Sequence, residues 1–226
     1  MGNLKAFLFD LNGTMIDDMS YHIRAWHRIV NELGAGLSLE QVKTECYGKN
    51  HDFLDRIFPG RFSVEEKDKM SIEKEKQYQS EFRPHLKLID GLDQFLEKAK
   101  ANHIKMAIGS AAIMFNIDFV LDGLDIRHYF DEIVSADHVQ FSKPNAETFV
   151  KCADKLGVLY DECIVFEDAP KGVEAAANAG MKAMVITTMH EANEFSGFAN
   201  VLDAAPDFQK WQVNDLSGIL HKSIFN

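Results

Sequence analysis

Cysteine is scarce in this chain: Cys46, Cys152 and Cys163 are the three among 226 residues. They are odd in number and lack metal-ligand spacing, which excludes a disulfide framework and a cysteine-rich zinc site. They read as small buried apolar residues of a reducing compartment. Positive charge is also short, with 24 Lys+Arg against 35 Asp+Glu and a net charge of −11. No local basic cluster offsets it, so neither a nucleic-acid nor an anionic-membrane surface is expected. Any anionic substrate must be held by a few placed cations. Long apolar runs are missing as well. None approaches the roughly 18 residues of a membrane span, and no charged, apolar, small-residue leader precedes the first strand, so a cytoplasmic protein is expected. Internal repeats and low-complexity tracts are absent. What is present, 46% hydrophobic and 26% charged residues, is an ordinary globular composition, enough for one large domain or a medium domain with an insert.

The most informative stretch comes early. Ala6-Phe7-Leu8-Phe9 is too short for a helix and apolar at every position, as a parallel strand covered on both faces must be. It runs into Asp10-Leu11-Asn12-Gly13-Thr14, which places a carboxylate and a turn where open α/β sheets hold their ligands. From there to about residue 84 the pattern is helical. Ile23, Trp26, Ile29, Val30 and Leu33 recur at three- and four-residue steps after Ser20, a candidate N-cap. A second helix is expected from Ser38 or Leu39 to Cys46, then a polar turn at Tyr47-Gly48-Lys49-Asn50-His51. Ser63-Val64-Glu65-Glu66 is a capping-box pattern that opens a charged helix reaching about Phe82.

Beyond Pro84 apolar strand-length runs alternate with amphipathic helices. Strands are expected at Lys105–Ser110, Glu132–Ser135, Cys163–Asp168 and Ala183–Thr187, with a short further one at Val201-Leu202. Such alternation specifies an α/β fold, a Rossmann-like doubly wound parallel sheet. The first strand belongs to that sheet, so residues 1–15 and 85–226 form the core domain. Residues 16–84 form an inserted all-helical cap domain.

Three strands end on residues suited to phosphate and metal: the first on Asp10, the second on Ser110, and a third on Glu167-Asp168. Parallel strands point one way, so these ends converge on one edge. Lys143, before Pro144 in the loop after the Ile133 strand, is the expected cation. Such a set supports phosphoryl transfer to Asp10, giving an aspartyl-phosphate that divides one hard displacement into two easier ones. Hard oxygen ligands from Asp10, Asp168 and the residue 12 carbonyl suit Mg²⁺, with Glu167 assisting directly or through water. Lys143, the Ser110 hydroxyl and backbone N–H groups would hold the phosphoryl oxygens.

These residues, Asp10-Leu11-Asn12-Gly13-Thr14, Ser110, Lys143-Pro144 and Glu167-Asp168, together resemble the four motifs of the haloacid dehalogenase-like superfamily. The helical insert and Tyr21-His22-Ile23-Arg24-Ala25-Trp26 are similar to its β-phosphoglucomutase-like, C1-capped branch. The resemblance implies a phosphoric monoester hydrolase acting on a small phosphorylated metabolite, with the cap closing over the site. A phosphosugar mutase is the alternative, and a phospholigand-binding protein with little turnover is a second. Leu11 and Ala111, beside the motif residues, and His22, Lys49 and His51 of the cap are the expected substrate contacts. A monomer is expected, with a dimer as the alternative.

The chain departs from the pattern at Asn12. The family places there a second aspartate that passes protons, and an amide has no titratable proton to pass. A positioned acid–base group contributes typically about 10²- to 10⁴-fold, so binding should persist while turnover suffers. Three readings stay open: a change introduced to trap a complex, a natural variant that is slow or uses another base, or a lineage that has left phosphoryl transfer. Halide-displacing members also lack the second aspartate, but they do not use the metal pair for which Glu167-Asp168 is suited. Near Tyr47 to Asp52 no arginine accompanies Lys49 and His51, and Met114 stands where the family has a polar contact, so a bisphosphate would be poorly held.

Overall fold

The computed structural model describes residues 4–222, and the chain divides into two compact units: residues 18–86, and the segments on either side of them. In the larger unit six parallel strands form one sheet. They are β1 (Ala6–Phe9), β2 (Lys105–Gly109), β3 (Glu132–Val134), β4 (Cys163–Glu167), β5 (Lys182–Ile186) and β6 (Val201–Ala205), in the order β3-β2-β1-β4-β5-β6. The chain builds β2 and β3 outward from one side of β1, then crosses over to continue through β4, β5 and β6 on the other. That reversal makes the carboxyl ends of β1 and β4 the switch point at which such sheets bind ligands. The last strand is longer than the Val201-Leu202 pair suggests, because Ala183 to Ile186 offer it a ladder out to Ala205.

β1 is fully buried at all four positions, and its period-2 alternation divides the core into two different halves. Phe7 and Phe9 face an aromatic layer. Phe9 stacks on Phe166 with centroids 4.9 Å apart and planes 8° off parallel, and Phe95, Phe208 and Trp211 pack edge-on or tilted around them. Ala6 and Leu8 face small aliphatic residues, including Ala107, Val134, Cys152, Val165, Ala175, Ala176 and Val185. Helices cover that second face: α7 (Glu147–Leu156) and α8 (Pro170–Asn178). The aromatic side is closed by α5 (Leu92–Ala101), while α6 (Met114–Gly123) comes after β2 and α9 (Val213–Lys222) ends the described chain.

The smaller unit holds α1 (Met19–Glu32), α2 (Leu39–Glu45), α3 (Asn50–Ile57) and α4 (Val64–Phe82). Its interior is built on Trp26, Phe53, Leu54, Val42, Tyr78 and Phe82. Trp26 and Phe53 lie 4.7 Å apart between centroids. Ser38 and Ser63 both close capping boxes, with Gln41 and Glu66. Two local expectations are corrected. The N-cap of α1 is Asp18 rather than Ser20, and Asp18 is buried and engaged elsewhere instead of capping with its side chain. The polar turn before Phe53 is shorter than expected, since Asn50 and His51 already belong to α3. Polar residues at Asn50, His51 and Asp52 form the first helical turn there, where they face solvent or side-chain partners, so polarity alone did not mark a loop. Among the described residues no helix is long and apolar enough to cross a membrane.

Because the aromatic layer sets the level at which β1 and β4 end, we expect Phe166→Ala to cost about 3–5 kcal/mol of core-unit stability. Urea unfolding followed by tryptophan fluorescence measures it, since Trp211 packs on that ring.

Candidate active site

Register brings the strand ends together. Phe9 pairs with Ile108 on one side and Phe166 on the other, and the Asp10 N–H still donates to the Phe166 carbonyl at 3.0 Å. Asp10 therefore emerges between Gly109-Ser110 and Glu167-Asp168. The carboxylates of Asp10, Glu167 and Asp168 each place an oxygen so that all lie within 4.8 Å of one another, and all three residues are buried. Lys143 reaches in from the loop before α7. Its Nζ donates to Asp10 Oδ1 and to Glu167 Oε1, both at 2.7 Å, and lies 4.6 Å from the centre of the Phe149 ring.

Glu167 is fixed on both oxygens. While Oε1 takes Lys143, Oε2 accepts the backbone N–H groups of Asp168 and Ala169, each at 3.0 Å. It alternates to the face covered by α8, and Gly172 leaves room for it. A Cβ at position 172 would stand 1.8 Å from Glu167 Oε1. Asp168 instead turns toward the β1 loop. The Thr14 hydroxyl donates to its Oδ1 at 3.3 Å, and a Cβ on Gly13 would lie 2.2 Å from its Oδ2. Gly13 also takes φ +78°, which favours a residue without a Cβ.

Charge at this edge is unbalanced, the three buried carboxylates facing the Lys143 ammonium. Burial alone would lower the Lys143 pKa, but Asp10 and Glu167 outweigh it and hold the ammonium protonated above the usual lysine range. Asp168 goes the other way. Burial, and then the neighbouring charges of Glu167 and Asp10, push its pKa well above the ordinary carboxylate value, Lys143 opposing only in part. A divalent cation bound by oxygen would relieve that repulsion, so the residues present fit Mg²⁺. Asp10 and Asp168 would hold it, with the residue 12 carbonyl as the third ligand expected from the sequence. Glu167, already tied to Lys143 and two amides, suits contact through water better than direct ligation.

The remaining expected residues fall in several places. Ser110 is buried at the end of β2, where its Oγ accepts the Ala112 N–H at 3.1 Å. Ala111 next to it is half-buried, and the Leu11 side chain is fully buried, which leaves only its backbone for a ligand. Asn12 is half-buried and forms an isolated bridge with Ile16. Met114 opens α6, its N–H donating to Asp137 at 2.8 Å. In the helical unit His22 is buried, Nε2 3.2 Å from Asp18, Nδ1 2.6 Å from Lys74, and its ring stacked on Tyr78. Lys74 in turn donates to Glu75 at 2.9 Å, and Asn50 donates to Glu75 at 2.8 Å. Lys49 precedes α3 with its N–H on Asp52, and His51 pairs with Asp68 at 2.9 Å.

Sequence reasoning missed Thr14, Thr188 and the buried set Asp18, Lys74 and Glu75. Lys74 lies in a helix reading Glu73-Lys74-Glu75-Lys76, where no pattern distinguishes one buried lysine from its solvated neighbours. Thr14 had a usable signal, its place in the turn directly after the carboxylate.

A sequence model of the haloacid dehalogenase-like hydrolases matches residues 7–186, and the chain belongs to that family. Within it, the chain is of the β-phosphoglucomutase-like type. It is 30% identical over 187 residues to a fructose-1-phosphate phosphatase of Escherichia coli, covering 79% of this chain and 94% of that protein. It is 29% identical over 189 residues to β-phosphoglucomutase of Bacillus subtilis, 80% of this chain and 82% of the other. The crystal structure of a β-phosphoglucomutase from Clostridium difficile superposes with a TM-score of 0.85 at 26% identity, over 100% of both chains.

The raised pKa of Asp168 gives a direct check. A carboxyl that titrates higher in the native state than in the unfolded chain favours folding at low pH and weakens it as pH rises through that interval. A cation displaces the proton and reverses the penalty. Mg²⁺ held at about 100 times its pH 8 Kd should stabilise the protein by about 2.7 kcal/mol at that pH, and the same concentration should stabilise it by less as the pH is lowered and the Asp168 proton competes, read as melting temperature with and without the ion.

Proposed function

We propose that this chain is a Mg²⁺-dependent phosphatase of small phosphorylated sugars or polyols, working through an aspartyl-phosphate on Asp10. The observation that carries this reading is the Asp10 carboxylate at the end of the central strand, with Lys143 on Oδ1 and Asp168 within ligand-sharing distance. Those contacts leave Asp10 positioned at the mouth of the switch point. The names of similar proteins, phosphatases of fructose 1-phosphate, of phosphorylated carbohydrates and of hexitols, support the substrate class.

Asp10 attacks phosphorus, and the bond to the leaving oxygen breaks. Lys143 neutralises the charge that spreads onto the phosphoryl oxygens, and the Ser110 hydroxyl and the Ala111 N–H supply further donors. Mg²⁺, when bound, screens the approach of two anions and polarises the phosphoryl group. Water then hydrolyses the acyl phosphate and restores Asp10. Asn12 can orient a leaving group or a water by hydrogen bonding but moves no proton, so hydrolysis of the acyl phosphate runs slowly, and so does the first half-reaction unless its leaving group needs no acid. Recognition of the leaving group is assigned to the helical unit, with Lys49 and His51 its candidates. His22, enclosed by Asp18, Lys74 and Tyr78, serves the organisation of that unit. All proposed catalytic groups come from one chain, so a monomer suffices, and neither nucleic acid nor membrane enters the reading.

A mutase is the second reading, favoured by the similarity to β-phosphoglucomutases. A metal-dependent screen of sugar phosphates, polyol phosphates and acyl phosphates, on the native chain and on Asn12→Asp, separates the two. We expect free phosphate from the native chain, a rise of about 10²-fold or more in Asn12→Asp, and loss in Asp10→Ala. Interconversion of glucose 1- and 6-phosphates without free phosphate would favour the mutase, and turnover that survives Asp10→Ala would overturn both.

A further inference from the structure

We propose that Thr188 is a positioning residue that sets the metal affinity of the site by anchoring the Asn12-Gly13-Thr14 turn from across the sheet. The proposal rests on the metal-dependent reading and goes beyond it, because Thr188 belongs to none of the four motifs.

β5 ends at Ile186, and the Thr187 N–H still donates to Ala205 of β6 at 2.9 Å. At Thr188 the chain leaves the sheet, and the threonine hydroxyl donates to the Gly13 carbonyl at 2.6 Å. β4 lies between β1 and β5. The bond therefore spans the end of the strand that delivers Glu167 and Asp168, linking the β1 turn to the β5 loop on its far side.

Several ties meet in this turn. The Gly13 N–H donates to the Ile16 carbonyl at 2.8 Å, the Met15 N–H to the Leu11 carbonyl at 2.8 Å, and the Thr14 hydroxyl to Asp168. The first two are local and can move with the turn as a body, whereas Thr188 fastens the Gly13 carbonyl to a different strand. Glycine is the residue with the widest backbone freedom, so the orientation of the peptide between Gly13 and Thr14 is sensitive to what holds its oxygen. Rotation of that peptide would carry the Thr14 hydroxyl off Asp168 on one side and swing the Asn12 peptide, the source of the expected carbonyl ligand, on the other. Supporting hydrogen bonds of this kind typically change metal affinity by about 10- to 100-fold.

The test uses Mn²⁺ as a spin probe for the Mg²⁺ site, with binding followed by electron paramagnetic resonance on the native chain, Thr188→Val and Thr188→Ser. Valine keeps the shape and removes the donor; serine keeps the donor. We expect about 10-fold weaker Mn²⁺ binding in Thr188→Val, affinity near native in Thr188→Ser, and similar melting temperatures without metal. Thr188→Ala replaces the valine variant if that one does not fold, with the same expectation. Equal affinity in all variants would overturn the proposal, as would equal weakening in Thr188→Val and Thr188→Ser, which would point to shape alone. If the native chain itself binds no Mn²⁺, the metal-dependent reading falls first and this proposal with it, an outcome distinct from native binding that is indifferent to Thr188.

Discussion

Like charges gather at one edge of the sheet, and Lys143 holds them there. Its ammonium bridges Asp10 and Glu167 at 2.7 Å each, in buried surroundings where an unpaired charge is costly. Removing one partner from a buried ion pair costs far more than the pair contributes, so the position of Asp10 and the saturation of Glu167 both depend on this lysine. The neighbouring glycines answer the same constraint. Gly172 leaves space for the Glu167 carboxylate, and Gly13 lets the β1 turn pass within contact of Asp168. Electrostatic strain remains on Asp168, and that strain is the one a divalent ion would relieve.

In the proposed mechanism Asn12 divides binding from turnover. The change from a carboxyl to an amide leaves the backbone of the turn in place, with Gly13 and Met15 bonded within it, and removes the proton. In that mechanism the site keeps Asp10 as nucleophile, Lys143 as cation and its candidate metal ligands, and lacks a group to hand a proton to the departing oxygen and take one from water. Substrates with good leaving groups are therefore the natural probes of this chain, because their first half-reaction needs no acid.

Most of the sheet was legible from sequence because its strands are buried on both faces and read as continuous apolar runs. The convergence of Asp10, Ser110 and Glu167-Asp168 could be read from parallel strands pointing one way. Features that depend on side-chain direction, or on contacts between distant loops, escaped. Nothing in the local sequence distinguishes Thr188 from Thr187, yet one meets the Gly13 carbonyl and the other continues the ladder to β6. Ser20 looked like the first cap because serine caps well, but Asp18 precedes the helix and is drawn into the buried set with His22 and Tyr78. His22 reads from sequence as an expected substrate contact, since a single histidine on a helix does not reveal its neighbours. The structure encloses it.

The central claim is that Asp10 becomes phosphorylated and that Asn12 stalls the hydrolysis of the resulting acyl phosphate. Acetyl phosphate, whose acetate leaves without help from an acid, tests it most directly: incubate with Mg²⁺, quench in acid, and map the adduct by peptide mass spectrometry. The predicted result is a phosphoryl group on Asp10 that accumulates in the native chain and is short-lived in Asn12→Asp, where a base is restored. No adduct in either protein, or an adduct on a different residue, would contradict it.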